Sequence, residues 1–338
     1  MVIRRISLLA GAALSALALT TSMQAQALPG APVPDAQVES WTAMGPQLEP
    51  AKTLPGALTI AMGAHHPSPK GANEACDLTA GENPVVLIHG MTSNAYSSFG
   101  AISPVIKSQG RCVYAMNYGY YTAEDAGSSA TELLPGFYGY GALDRSLAQV
   151  SEHIELVKRE TGAQKVDLVG WSAGGTLAAA YAKQVGASGV GTVVSIDGVL
   201  HGTTMGGLSH LVDQSRAAGV PTDALISATL GPAGNDLLKG SEFMQRMNEG
   251  GLEVPGVRYV AISTLYDESA TPLEATQFNA GDYQNLVIQD GCPSDKVDHL
   301  GTPYDDRAIA MVANALGGDV ALTCGLEIGP AAGLSSQR

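Results

Sequence analysis

Val166-Asp167-Leu168-Val169-Gly170-Trp171-Ser172-Ala173-Gly174-Gly175 decides how this chain is read. A short valine-bearing run ends at Gly-x-Ser-x-Gly. The small-residue segment Thr176-Leu177-Ala178-Ala179-Ala180-Tyr181-Ala182 follows. That order predicts a strand, a tight turn and a helix, the setting in which this pentapeptide presents a nucleophilic serine. Gly170 and Gly174 remove Cβ atoms that would clash with so sharp a turn and with the neighbouring strand and helix. The helix behind Ser172 points its positive end at the site, which favours a developing oxyanion. In a chain with 41 glycines the bare pentapeptide would count for little; the strand before it and the helix after it give it meaning.

Working outward, apolar runs alternate with helical patterns. Pro84-Val85-Val86-Leu87-Ile88-His89-Gly90 predicts a buried strand, residues 99–108 a helix, and Cys112-Val113-Tyr114-Ala115-Met116-Asn117 a second strand. Leu143, Leu147, Val150, Ile154 and Val157 recur at helical spacing, and Gly162 ends that helix. His153 lies in it, between apolar positions, and reads as a surface or boundary residue. Thr192-Val193-Val194-Ser195-Ile196, residues 257–263 and Leu286-Val287-Ile288 predict further strands, and residues 306–316 a last helix. Such alternation argues for one doubly wound, mostly parallel sheet with helices on both faces. Ligands bind beyond the carboxyl ends of strands in such sheets, where Ser172 lies. Residues 200–256 carry no strand signal and several weak helical ones, so they read as a partly helical insertion that partly covers the cleft.

The N-terminus reads as a secretory signal. Arg4 and Arg5 precede an apolar run over residues 8–19, too short for a good membrane span, and Ala25-Gln26-Ala27 is a cleavage site. Residues 1–27 are therefore expected to be removed and the protein to be secreted. Residues 28–75 are proline-rich and read as an extended arm with one short strand at Leu58-Thr59-Ile60. The catalytic domain is expected over residues 76–338. His65-His66 in the arm reads as a solvated loop. Lys+Arg 18 against Asp+Glu 32 gives −14, which argues against nucleic acid or an anionic membrane as partner. The four cysteines, Cys76, Cys112, Cys292 and Cys324, suggest two disulfides in an exported chain. Their wide spacing is unlike that of zinc ligands, which come in close pairs.

A serine hydroxyl needs a base, and the base needs an orienting third group. With the order serine, acid, histidine, the bases open to Ser172 are His201, His210 and His299. His299 follows the last strand and can return over the sheet edge. His201 reads as structural or substrate-contacting, and His210 as an exposed residue of the insertion. Asp267 and Asp197 both end strands between Ser172 and His299, and both are permitted as the acid, with topology slightly favouring Asp267. Asp298 reads as a solvated loop acid. For an oxyanion, the backbone N–H groups of Ala173 and of Met91, in the loop His89-Gly90-Met91, are the candidate donors. His89 precedes the serine and reads as structural.

At these residues the chain resembles the secreted bacterial lipases of the α/β-hydrolase superfamily, the class 2 (EstA/LipA-like) group, and above all the actinobacterial triacylglycerol lipases. The matching stretches are Gly71-Ala72-Asn73-Glu74-Ala75-Cys76, residues 84–91, 112–119 and 165–175, His201-Gly202-Thr203-Thr204, and residues 257–272 and 289–300. The resemblance implies an α/β-hydrolase fold and a carboxylic ester hydrolase with Ser172, Asp267 and His299 as its triad, favouring Asp267 over Asp197. It implies the pairs Cys76–Cys112 and Cys292–Cys324, and ester or lipid substrates. A monomer with no cofactor or catalytic metal, in transient contact with a lipid interface, is expected. Trp171 stands where such lipases usually carry His, and Ala173 where Met or Gln is commoner. Both alter the cleft wall, so acyl preference does not carry over. A secreted acyltransferase or a polyester-degrading hydrolase would use the same triad; a non-catalytic binding protein would usually lack one of its members.

Overall fold

The computed structural model describes residues 45–329 except 65, 80, 120–135, 208–213, 215 and 217–221. Residues 1–27, expected to be a signal segment, and His210 lie outside the described residues. The described elements run β1 (Gln47–Leu48), α1 (Leu54–Met62), β2 (Ser68–Pro69), β3 (Val85–Ile88), α2 (Ala95–Phe99), α3 (Ile102–Ser108) and β4 (Val113–Met116). They continue with α4 (Leu143–Thr161), β5 (Val166–Trp171), α5 (Ala173–Val185), β6 (Val190–Ile196), α6 (Thr222–Asp236), α7 (Glu242–Asn248), β7 (Arg258–Ser263), β8 (Asp282–Val287) and α8 (Asp306–Ala315).

Six strands form one sheet in the order β4-β3-β5-β6-β7-β8, every neighbouring pair parallel. Strands β3 to β7 read as largely apolar runs because both sheet faces are buried there, whereas edge strand β8 is mostly polar and exposed or half-buried. Val86, Ile88, Leu168, Val193 and Tyr259 enter one core with α4, α5 and α7. Val85, Leu87, Val169, Trp171, Val194 and Val260 enter the other with α2, α3 and α8. From β3 the chain steps to β4 on one side, then crosses back to β5 on the other. The carboxyl ends of β3 and β5 thus meet where the winding reverses, which is where such sheets open a crevice.

Several expectations are corrected in detail. Leu58-Thr59-Ile60 lies in helix α1, not a strand. The Thr53 hydroxyl accepts from Gly56 N–H, and Pro55 sits in the first turn, where its missing N–H does no harm. Leu54, Ala57 and Ala61 are buried, and the Tyr96 hydroxyl donates to the Glu49 carbonyl (2.6 Å). The helix expected over residues 99–108 is two helices, because α2 ends at Gly100 and α3 starts after Ala101. His153 is not at the surface: it is buried, and burial pushes its imidazole down to about 4. Asp298 is likewise buried, and its Oδ1 accepts from Gly301 N–H. Cys76 is bonded to Cys112, and Cys292 to Cys324.

Candidate active site

Ser172 sits between β5 and α5 with φ 54° and ψ −123°, left-handed backbone that a non-glycine residue adopts only under constraint. The constraint is visible. Ser172 N–H donates to the Ile196 carbonyl (2.9 Å), and its carbonyl accepts from Gly175 N–H. A Cβ on Gly174 would run into the Ile88 carbonyl, and one on Gly170 into the Gly174 backbone. The turn therefore admits only glycine at both places, and it lifts the serine hydroxyl above the sheet edge.

His299 comes from the loop after β8. Its Nε2 lies 2.9 Å from Ser172 Oγ, and its Nδ1 lies 2.8 Å from Asp267 Oδ2. Asp267 is buried, and its Oδ1 accepts from the N–H groups of Ser269 (2.7 Å) and Ala270 (2.6 Å). Burial alone would push the His299 imidazole down. The carboxylate of Asp267 outweighs it, with smaller contributions from Asp197 and Glu268 whenever these are ionised, and the imidazole is pushed up to about 9. The acid and base loops are fastened to each other. The Thr264 hydroxyl donates to the Val297 carbonyl, Gln289 bonds both Thr264 Oγ1 and Leu265 N–H, and His299 N–H donates to Glu268 Oε2. Sequence reasoning gave no role to Glu268 or Gln289, because polar loop residues carry no periodic signal.

Asp197 is brought to the same place, fully buried, so both candidate acids converge on one histidine. His89 is held away from the serine. Its Nδ1 bonds the Gly90 carbonyl (2.7 Å), its Nε2 accepts from Tyr118 N–H, and burial pushes it down to about 4. His201 is tied by both ring nitrogens, to Asn248 Oδ1 and the Gln277 carbonyl. His66 stacks on Tyr138 and bonds its hydroxyl. Among the described residues, Asp197, Asp267 and His299 are the one set of three whose ligand atoms could gather about a metal, and both nitrogens of His299 already have partners.

Ser172 and His299 open into a cleft of about 500 Å³. Its walls are mostly apolar, with Thr92, Ser93, Thr203 and Ser269 as polar exceptions. Leu54, Pro55 and Leu58 come from α1, Trp171 from β5, and Leu230 and Leu237 from the insertion, with Met91 and Phe137 beside them. The insertion does line the cleft, and α1 lines it too. Gly90 is packed against the elbow: a Cβ there would lie 2.7 Å from Trp171 Cε3 and 3.3 Å from Ser172 Cβ.

The comparisons agree with this architecture. The pattern of the α/β hydrolase fold family matches residues 83–222. Lipase B of Aspergillus fumigatus is similar in structure with a TM-score of 0.53 and 18% identity over 75% of this chain. The chain spans 56% of that lipase's length. Phospholipase PlaB of Legionella pneumophila is similar with a TM-score of 0.50 and 12% identity, covering 71% of this chain and 60% of the phospholipase. The lipase BlEst2 of Bacillus licheniformis in its mature form scores 0.49 at 12% identity, covering 72% and 96%. No curated protein matches the sequence. The family pattern and the likeness to lipase B, together with the parallel six-stranded sheet, show that the chain has the α/β-hydrolase fold.

Proposed function

We propose that this protein is a serine hydrolase of the lipase/esterase kind, cleaving carboxylic esters whose acyl part is apolar. One observation carries the reading: Ser172, His299 and Asp267 form a continuous hydrogen-bonded line whose serine end opens into an apolar cleft. His299 Nε2 takes the Ser172 proton as Oγ attacks the ester carbonyl, and Asp267 steadies the resulting imidazolium. His299 returns the proton to the leaving alcohol. Water activated by the same nitrogen then releases the acid from Ser172.

The oxyanion is assigned to the N–H groups of Ala173 and Met91. Ala173 opens α5, where unpaired N–H groups and the helix dipole favour negative charge. Met91 shares its peptide with the Gly90 carbonyl. Because that carbonyl is held by His89, a trans peptide aims the Met91 N–H the opposite way. Secretion belongs to the same proposal. Two disulfides support it, as such bonds persist in oxidising compartments, and no helix among the described residues is long and apolar enough to cross a membrane.

The test is hydrolysis of p-nitrophenyl esters of increasing acyl length beside an emulsified long-chain triglyceride. Long-chain release that is lost in Ser172→Ala is the expected result. Activity confined to short soluble esters would limit the protein to an esterase, and activity that survives in Ser172→Ala would end the reading.

A further inference from the structure

Asp197 is a buried acid that the mechanism above leaves unused. It follows Ile196, whose carbonyl accepts from Ser172 N–H, and its own N–H donates to the Ile262 carbonyl (2.8 Å). It therefore stands at the sheet edge between the serine turn and the acid loop. Its φ of 45° is left-handed, held there by those two neighbouring strands. A carboxylate oxygen of Asp197, one of Asp267 and a ring nitrogen of His299 all lie within 4.8 Å of one another. Asp197 Oδ1 accepts from Thr264 N–H (3.0 Å). Among the described residues its Oδ2 has no hydrogen-bond partner; the nearby Thr302 hydroxyl is directed at the Asp298 carbonyl instead.

We propose that Asp197 is a reserve acid for His299: a positioning residue that keeps a proton while Asp267 is ionised, and that orients the imidazole when Asp267 cannot. This rests on the reading of His299 as the base. Two carboxylates this close, away from water, do not both ionise. Asp267 accepts two backbone N–H groups and the imidazole N–H, so it keeps the charge. Asp197 accepts one, so the proton falls on its unpaired Oδ2. Burial, and then the charge of Asp267, push Asp197 well above the ordinary carboxylate range, while His299 pulls the other way. Glu268 also faces His299, from the loop after β7. Replacing Asp267 by Asn removes the second of the two forces that keep Asp197 protonated. Its proton then leaves to solvent as pH rises, and the new carboxylate accepts the Nδ1–H of His299.

The experiment compares Asp267→Asn with Asp197→Asn/Asp267→Asn in ester hydrolysis across pH. Loss of the acid from a serine triad with no substitute costs about 10⁴-fold in kcat. Asp267→Asn is expected to lose far less, on the order of 10²-fold, with activity that climbs with pH; the double variant loses the rest and the climb. Equal activities of the single and double variants at every pH overturn the proposal. A second measurement needs no activity and no loss of Asp267: an NMR titration of the His299 Nδ1–H resonance in the native protein and in Asp197→Asn. An inflection present in the native protein and absent from the variant is expected. Superimposable curves overturn the reserve-acid role even if both proteins hydrolyse esters. A native protein that shows the inflection but cleaves no ester would overturn the proposed function alone.

Discussion

His299 is pulled in two directions, and pH reveals both. In the proposed role of base it must be neutral, and its neighbours push its imidazole up to about 9. The rising limb of kcat/KM is therefore expected to have its midpoint displaced from 6.5 towards 9; a midpoint at or below 6.5 would contradict the site described here. Stability runs the other way. Folding raises this group's pKa, so its contribution is complete below pH 6.5 and is lost as pH rises through about 9. Between those values the same side chain raises activity while it lowers stability. On the proposed mechanism Ser172→Ala should lower kcat by about 10⁶-fold, and a fluorophosphonate should label Ser172 in the native protein alone. Asp267→Asn should cost more than Asp197→Asn, because only Asp267 contacts the imidazole directly. Ser172 and His299 were legible from chain order and strand ends. Topology favoured Asp267 over Asp197 only slightly, and the family resemblance favoured it further. Both end strands, and only the turn made by residues 264–271 decides which carboxylate meets Nδ1.

Elements that pack on both sides of the sheet announced themselves, because burial of both faces leaves unbroken apolar runs such as Val85-Val86-Leu87-Ile88. Helix α1 stayed hidden. It is nine residues long, it carries a proline and a glycine, and prolines surround it, so its pattern matched a linker. Helix α4 was found by its apolar stripe, but Ser146, Gln149 and His153 are buried as well. They continue the packed face at helical spacing with polar side chains, which a hydrophobic pattern cannot register. The place of α1 gives it a function to test. Leu58→Trp should fill the cleft and lower kcat/KM for long acyl chains relative to acetyl by about 10–200-fold, the usual range for pocket-size discrimination. An unchanged ratio would remove α1 from the acyl path. Helix α8 starts at Asp305, whose carboxylate caps Ala308 N–H while burial, and to a smaller degree Asp295, push it up to about 7. Folding thus favours its protonated form, so this stabilisation is lost as pH rises through about 7. Asp305→Asn keeps a capping oxygen and removes the charge. It should raise Tm at pH 8 by ~2–4 °C per kcal/mol recovered and leave it nearly unchanged at pH 4. Equal shifts at both pH values would show that charge is not the cause.

The whole molecule joins its cleft from distant parts of the chain. The doubly wound sheet followed from alternation, but the pairing of residues 54–58 with residues 299–300 across the cleft has no local signature. The Cys292–Cys324 bond closes a loop around His299, and Arg307 reinforces it by donating to the carbonyls of Ile288, Asp290 and Thr323. Replacing both cysteines by serine should destabilise the fold by about 3–4 kcal/mol in the chain-entropy picture. Activity should be lost at a lower temperature than the sheet melts; coincident losses would show that the loop is held without the bond. The separation of 127 residues between Ser172 and His299 has a consequence during synthesis. At about 5–20 residues per second, the residue proposed as nucleophile is made several seconds before the residue proposed as its base. On the proposed reading, a chain cut short before residue 299 carries the serine without its base.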